Sequence, residues 1–302
     1  SNTVFMIYGG VRQNETNVNR NVTVKVPVTY KESVDNGTVA TNYRVFQTGV
    51  SYDEHTNWDI TFFNLTIKGG EITDIANQGG HGGSFYAHGN SIDLKLYNFT
   101  VAESKAVDGG GMYLYSTGSR TIHEGTPQEE LISSKITMRY SVVGSNQRSL
   151  VENNVATNHG GGIWNYGAVH STIILDNTTI NKNIATNNGG GIWSTGVTNS
   201  TVTIDNSTIT NNKAESGFGG GIYSYGGTDS TVTIDNSTIS HNEASIDGGG
   251  VWSYGGTNSA ITVDNSTISY NKAESGSGGG IWSYGGTDSN IAFTNTRITN
   301  NE

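Results

Sequence analysis

The 302-residue chain is predicted to be all-β, a right-handed parallel β-helix (β-solenoid) with three short strands in each coil of about 29–30 residues. Three observations lead to this fold class. Gly-Gly-Gly triplets begin at 160, 189, 219, 248 and 278, so the sequence repeats after 29, 30, 29 and 30 residues. Each repeat contains short runs in which apolar and polar residues alternate with period 2, as in half-buried strands. Gly and Asn separate these runs, and helical periodicity is lacking.

The coil that begins at Gly219 illustrates the pattern. Its first run, 222–225, places Ile222 on one side and Tyr223 and Tyr225 on the other, and its second run, 232–236, alternates in the same way. A third run extends from Ile239 through Asn242 to residue 244. Stacking of successive coils also predicts an inward ladder of amides at a corner, formed by Asn177, Asn206, Asn236, Asn265 and Asn295.

The repeat is regular only in the second half of the chain. We assign residues 1–57 to an N-terminal strand-rich cap and residues 58–302 to the β-helix, with irregular coils over 58–150 and regular coils over 151–302. Insertions in a solenoid become loops on one face, which is often the binding face. Because the sequence ends within a repeat, we expect it to be a fragment of a longer protein.

Composition excludes several classes of function. The formal charge is −10, and the absence of a basic cluster argues against nucleic acid and anionic membranes as partners. Without Cys there is neither a disulfide framework nor a thiolate metal site. No apolar stretch is long enough for a membrane span, so membrane insertion is not expected.

Two columns of aromatic residues follow the glycines and are predicted to lie on the outside of the solenoid. We call them together the aromatic strip. With coils about 4.8 Å apart, it would extend over roughly 30 Å. Such a strip could bind a ligand, stabilise the coils by packing on itself, or form a protein interface, and these alternatives stay open. The first column is Tyr86, Tyr113, Trp164, Trp193, Tyr223, Trp252 and Trp282, and the second is His88, Tyr115, Tyr166, Thr195, Tyr225, Tyr254 and Tyr284.

Cationic side chains concentrate in and near the expanded segment, where Arg120, Arg139 and Arg148 lie. Loops there could flank Tyr113, Trp164 and their neighbours to form a groove. We therefore consider an anionic glycan, such as a uronate polymer or mucin, that binds better below about pH 6, where His is protonated. Solvated loop charges are the alternative interpretation.

Gly-Gly-Gly-Ile combined with Ile-x-x-Asn resembles the repeats of polymorphic outer-membrane adhesins and archaeal adhesin-like proteins. The longer, irregular first coils are similar to the pectate-lyase-like binding regions of lactobacillal serine-rich repeat adhesins. The resemblance covers about residues 58–302. It implies a secreted or cell-surface binding region, attached to the cell wall through other parts of the protein.

An enzyme is an alternative to a binding region, because β-helices include pectate lyases and polygalacturonases. Gly80-His81-Gly82 matches a short polygalacturonase element, but the chain has no Asp-Asp pair to supply general acid and base catalysis. A row of aspartates, Asp176, Asp205, Asp235 and Asp264, is predicted to point outward and to cap backbone amides, with a bridging Ca²⁺ as an open alternative.

The sequence thus predicts a non-catalytic adhesin binding region for polysaccharide or host glycans that needs no cofactor. A polysaccharide lyase or hydrolase and a passive stalk or self-association module are the alternatives. The predicted ligand-binding residues are Tyr86, His88, Tyr113, Tyr115, Arg120, Arg139, Arg148, Trp164, Tyr166 and Trp193.

Overall fold

The computed structural model describes residues 5–6, 20–25, 46–48, 57–63, 66–72, 80–89, 91–116, 134–139 and 148–302. These segments form a stack of coils built from parallel strands, with no α-helix within these ranges. The prediction of a parallel β-helix is confirmed.

The strands are short because each spans only one side of a coil. In chain order they are β1 (Phe5–Met6), β2 (Arg20–Lys25), β3 (Phe46–Thr48), β4 (Asn57–Phe63), β5 (Thr66–Lys68), β6 (Glu71–Ile72), β7 (Phe85–Gly89), β8 (Ser91–Tyr97), β9 (Thr100–Ala102), β10 (Lys105–Ala106), β11 (Met112–Ser116), β12 (Ser134–Arg139), β13 (Ser149–Glu152), β14 (Val155–Ala156), β15 (Ile163–Gly167), β16 (Ser171–Asp176), β17 (Thr178–Asn181), β18 (Ile184–Ala185), β19 (Ile192–Gly196), β20 (Ser200–Asp205), β21 (Thr208–Thr210), β22 (Lys213–Ala214), β23 (Ile222–Gly226), β24 (Thr231–Asp235), β25 (Thr238–Ser240), β26 (Glu243–Ala244), β27 (Val251–Tyr254), β28 (Ala260–Asp264), β29 (Thr267–Ser269), β30 (Lys272–Ala273), β31 (Ile281–Tyr284), β32 (Asn290–Thr294) and β33 (Arg297–Thr299).

Four parallel sheets run along the stack. In the order in which a coil visits them, the first sheet is β1-β3-β7-β11-β15-β19-β23-β27-β31 and the second is β2-β4-β8-β12-β16-β20-β24-β28-β32. The third is β5-β9-β13-β17-β21-β25-β29-β33, and the fourth, of two-residue strands, is β6-β10-β14-β18-β22-β26-β30. The third run of the repeat is therefore divided in two, because the chain turns at Asn242 between β25 and β26.

Strands of the predicted N-terminal cap also belong to these sheets. In parallel register, β1 pairs with β3, β3 with β7, and β2 with β4. Segments before residue 58 thus add strands to the first and second sheets, while the predicted domain boundary at residue 57 stays a prediction.

The inward side of the sheets is mainly a stack of aliphatic residues, and buried serines such as Ser194 and Ser224 line the corner between the first and second sheets. In a regular coil, Ile222, Val232, Ile234 and Ile239 are almost completely buried, each directly above its equivalent in the previous coil. Earlier coils use larger side chains, including Phe62, which packs edge-on against Phe85 with ring centroids 6.0 Å apart. Burial of this continuous core drives the coils together.

The glycine triplets allow two coils to approach closely between the fourth and first sheets. Gly219 has a φ of +67°, which L side chains rarely adopt. A Cβ on the next residue, Gly220, would lie 2.4 Å from the carbonyl oxygen of Glu243 in the following coil. Any larger residue at Gly220 would push adjacent coils apart.

The predicted inward asparagine ladder lies elsewhere in the coil. Asn177 is partly exposed, and Asn206, Asn236, Asn265 and Asn295 are exposed. Their φ values of 45–49° place them in the left-handed region, so the prediction of an unusual corner is confirmed and the inward direction is wrong. A left-handed residue reverses the alternation of inward and outward side chains at the turn. Counting every second residue through the corner therefore assigns these Asn residues to the wrong side.

The inward amide ladder is formed instead by the Asn of Ile-x-x-Asn. Each Nδ2 donates to the Oδ1 of the equivalent Asn in the next coil at 2.9–3.0 Å, and the same Oδ1 accepts the backbone N–H at 3.0–3.1 Å. Nδ2 also donates to a carbonyl of the previous coil, as from Asn212 to Ile180 at 3.0 Å. The side chain thus satisfies buried backbone groups where the chain turns between the third and fourth sheets. The ladder is Asn154, Asn183, Asn212, Asn242, Asn271 and Asn301.

We predict that Asn212→Ala destabilises the coils by about 2–5 kcal/mol, because it leaves the Asn183 N–H and the Ile180 carbonyl buried without partners. Urea denaturation followed by circular dichroism measures the change. The matched control is Asn211→Gly at the preceding exposed position, where φ is 55° and Gly fits without strain. Equal effects of the two substitutions would contradict the assigned role of the inner ladder.

Candidate functional site

The two aromatic columns are in register on the outer side of the first sheet, as predicted. Backbone pairing places Tyr86 beside Tyr113, Tyr113 beside Trp164, and so on to Trp282. The same strands align His88 with Tyr115 and continue the second column to Tyr284. Because inward and outward positions alternate along each strand, the strip lies directly outside the aliphatic core.

The rings of the first column stack on one another along its whole length. Successive ring centroids from Tyr86 to Trp282 are 5.4, 4.1, 4.7, 6.0, 4.5 and 5.1 Å apart, with interplanar angles of 1–7°. This packing leaves Tyr113, Trp164 and Trp252 only 6–8% exposed. The self-packing alternative is therefore realised, and each pair adds about 0.5–1.5 kcal/mol beyond the area it buries.

Stacking changes what the strip offers to a ligand. A ring such as Trp164, which lies between Tyr113 and Trp193, has both faces covered and presents only its edge. A sugar therefore finds no open ring face to stack on in the interior of the first column. The indole Nε1 of Trp252 is buried and has no hydrogen-bond partner among the residues that the structure describes. Burial, aided by the neighbouring Tyr225, raises the pKa of Tyr223 to about 12.

The second column is interrupted. His88, Tyr115 and Tyr166 stack at 5.0 Å, and Tyr225, Tyr254 and Tyr284 stack at 5.1 Å. Between these two groups lies Thr195, which pairs with Tyr166 on one side and with Tyr225 on the other. The absence of a ring in this coil leaves Tyr225 42% exposed. The sequence shows the missing aromatic but not that its neighbours form continuous stacks.

The predicted arginines are separated from the strip. The Nε of Arg139 lies 2.8 Å from Oδ2 of Asp176, at the far end of the second sheet. Arg148 donates from Nη1 to the carbonyl oxygen of Asn206, in the turn that follows that sheet. The length of the second sheet lies between these two residues and the strip. The loops predicted to flank Tyr113 and Trp164 lie outside the described residues, and a binding role for the two arginines stays a prediction. Arg120 lies outside the described residues.

Comparison with known families agrees with this architecture. A family model described as "Right handed beta helix region" matches residues 42–302. The chain belongs to the right-handed β-helix family. Comparisons with curated proteins and with solved structures gave no significant match. The family includes both enzymes and non-enzymes, so membership alone does not assign an activity.

The aspartate row of this β-helix lies at the corner after the second sheet, beside Arg139. Asp176, Asp205, Asp235 and Asp264 are in register and partly exposed. Oδ1 of Asp264 accepts the N–H of Asn265 at 2.9 Å, which is the predicted capping contact. Within the described ranges, no group of three or more His, Asp or Glu side chains is arranged to hold a metal ion, and a bridging Ca²⁺ stays a prediction.

The Gly80-His81-Gly82 element of the β-helix lies next to the aromatic strip. The His81 ring stacks on Tyr113 at 4.4 Å, and its Nδ1 lies 3.2 Å from Oδ2 of Asp108. The other carboxylate oxygen of Asp108 accepts the N–H of His159 in the next coil at 3.1 Å. Asp108 therefore supports the turn before a glycine triplet.

In the described part of the chain, no long apolar helix suited to crossing a membrane occurs.

The residue before several other triplets repeats this supporting role. His159 accepts the N–H of Asn188 through Nδ1 at 3.2 Å, and Oδ1 of Asn188 accepts the N–H of Phe218 at 2.9 Å. Desolvation by burial lowers the pKa of His159 below its ordinary value of 6.5, and the charge of Asp108 partly opposes the shift. Burial also lowers the pKa values of His88 and His170. These imidazoles are therefore protonated only at a lower pH than an ordinary histidine. This disfavours the hypothesis of binding below about pH 6, which requires protonated histidines.

The lowered histidine pKa values predict a loss of stability in acid. Below pH 6.5 the unfolded chain takes up a proton before the folded chain does, so the free energy of unfolding falls with pH. Protonation of His159 at Nδ1 also removes the acceptor for the N–H of Asn188. We expect His159→Asn, which reproduces Asn188 one coil later, to keep stability at about pH 7.5 and to reduce the loss at about pH 5.5.

Urea titrations at both pH values measure this difference. The control is His241→Asn, at an exposed position, which is expected to retain the acid sensitivity of the parent chain. An unchanged pH dependence in His159→Asn would show that other groups account for the loss.

Proposed function

We propose that this β-helix is a binding region of a secreted or cell-surface adhesin and that it recognises neutral glycans through the aromatic strip. The observation that carries the proposal is the strip itself, a contiguous aromatic surface in register over seven coils on one face. Contiguous aromatic patches that reach the surface usually serve as contact surfaces, and Tyr225 and Tyr284 are the most exposed rings of this one, at 42% and 53%.

The chemistry of the strip supports a glycan as ligand. Ring edges lie beside the phenol tips of the tyrosines, so apolar C–H groups and hydroxyl groups of a sugar chain find partners side by side. The proposed mode is lateral: a glycan lies across ring edges and tips, and ring faces take part only where the stack is open.

Charge favours a neutral ligand over the anionic one considered from the sequence. Arg139 is paired with Asp176, and Arg148 contacts the turn at Asn206, both away from the strip. Burial disfavours a charged imidazole at His88, the histidine of the second column. A uronate polymer on this face would therefore meet few cations among the described residues, in a protein with a formal charge of −10.

A glycan array tests the proposal directly. We expect the purified chain to bind neutral glycans and Tyr225→Ala to weaken that binding at least about fivefold, because one of the most accessible rings is removed. Tyr270→Asn is the matched control, since Tyr270 is 54% exposed but stacks on His241 at the end of the third sheet. Absence of binding to every glycan would contradict the proposal and favour the stalk alternative, and shortening of a bound polymer would favour the enzyme alternative.

Salt dependence separates neutral from anionic ligands. For a neutral glycan we expect the dissociation constant to change less than about twofold between about 50 mM and 500 mM NaCl. A neutral ligand carries no charge whose attraction to the protein salt could screen. Isothermal titration calorimetry with the best array ligand measures it. Strong weakening by salt would restore the anionic-glycan hypothesis.

A further inference from the structure

The interruption at Thr195 creates a gap between two parallel tyrosine rings. Tyr166 and Tyr225 are each one coil away from Thr195, on opposite sides. Tyr166 stacks on Tyr115 with one face, and Tyr225 stacks on Tyr254 with one face, so the two remaining faces look towards each other. Every other position of the second column holds a ring: His88, Tyr115, Tyr166, Tyr225, Tyr254 and Tyr284.

The height of the gap follows from the spacing of the coils. Neighbouring rings in this column lie 5.0 and 5.1 Å apart per coil. Two coils therefore separate Tyr166 from Tyr225 by about 10 Å, which leaves room for one flat ring in contact with both. A pyranose chair with equatorial substituents has nearly the thickness of the missing aromatic ring and presents C–H groups on both faces.

The sides of the gap suit a sugar. Trp193 and Val197 are the outward residues that flank Thr195 on the same chain segment, and Val197 is 59% exposed. Later coils have Gly at the position of Val197, so the coil that lacks the tyrosine also carries an added apolar side chain. One side of the gap is thus aromatic and the other aliphatic.

The floor of the gap contains an unused hydroxyl group. Oγ1 of Thr195 is shielded from solvent and has no hydrogen-bond partner among the described residues. A buried hydroxyl without a partner is unfavourable. A different χ1 rotamer would exchange Oγ1 with the methyl group and turn the hydroxyl towards the gap, where a sugar hydroxyl could serve as its partner.

We propose that the gap at Thr195 is a slot for one terminal pyranose ring with equatorial substituents, inserted edge-first between the rings of Tyr166 and Tyr225. This inference rests on the proposed glycan-binding function and assigns it a defined subsite. The slot presents two open ring faces, which the stacked interior of the strip lacks. An axial hydroxyl would project into one of the two tyrosine faces and be rejected.

Cellobiose and lactose are the matched probes for a slot that takes the non-reducing terminal sugar, because only that sugar differs between them, in the configuration at C4. We expect cellobiose, with an all-equatorial terminal glucose, to bind at least about fivefold more tightly than lactose and to shift the γ-methyl NMR signal of Thr195. Equal binding of the two disaccharides, or binding without a change at Thr195, would overturn the slot.

Thr195→Tyr is the decisive variant, because the added ring fills the slot and completes the second column. We expect its urea midpoint to equal or exceed that of the parent chain and its cellobiose binding to be lost. Thr195→Val keeps the shape, removes the hydroxyl and should weaken binding several-fold. Thr203→Tyr, outward on the second sheet, is the control for adding a tyrosine and should bind normally.

The outcomes separate the subsite from the wider proposal. If Thr195→Tyr binds cellobiose like the parent chain, the slot is wrong, whereas glycan binding by the strip stands if the array is positive. If the parent chain binds no glycan at all, both proposals fail. Should Thr195→Tyr fold poorly, Tyr166→Ala removes one wall instead, and unchanged cellobiose binding in that variant would equally overturn the slot.

Discussion

The structure depends on one constraint: each coil must lie directly on the previous one, in parallel register, one strand spacing away. Backbone hydrogen bonds between coils impose that register on every side of the helix. Equivalent residues therefore stack on each other whatever their chemistry. Aliphatic residues form the core, amides form a hydrogen-bonded ladder, and aromatic residues form a π-stack, all for the same geometric reason.

The buried amide ladder shows how the fold tolerates polar residues inside. An isolated buried Asn would be costly, but each member here satisfies its neighbour and two backbone groups at the turn. The glycine triplets act at the next corner, where Gly220 lets two coils approach closely. Together these positions explain why Gly and Asn are so frequent in a chain that nevertheless folds into a regular structure.

The same register determines how the outer surface can bind. Regular repetition covers the faces of the aromatic rings, so the most regular part of the strip is also the least open to stacking by a ligand. Recognition by ring faces needs a place where the repetition fails. Thr195 is such a place within the regular coils, whereas the sequence directed attention to the expanded coils before residue 150.

Much of this architecture was accessible from spacing alone. The period of the triplets and the alternation of residues predicted the fold, the two aromatic columns and the aspartate row, because strand periodicity and in-register stacking are local rules. Prediction failed at corners: the left-handed Asn177 and its equivalents turn outward, and Asn212 and its equivalents turn inward. A single left-handed residue shifts the inward–outward alternation between the strand before it and the strand after it.

By itself, the sequence determined which residues share a column. Only the tertiary structure decided which columns lie near each other and how their side chains use the space. Arg139 is distant from Trp164 because the two residues lie on different sheets. The rings of the strip cover one another because adjacent strands are only about 4.8 Å apart, which brings neighbouring rings into stacking contact. Column membership follows from sequence separation, whereas adjacency around the coil and contact between side chains depend on turns and on the three-dimensional path of the chain.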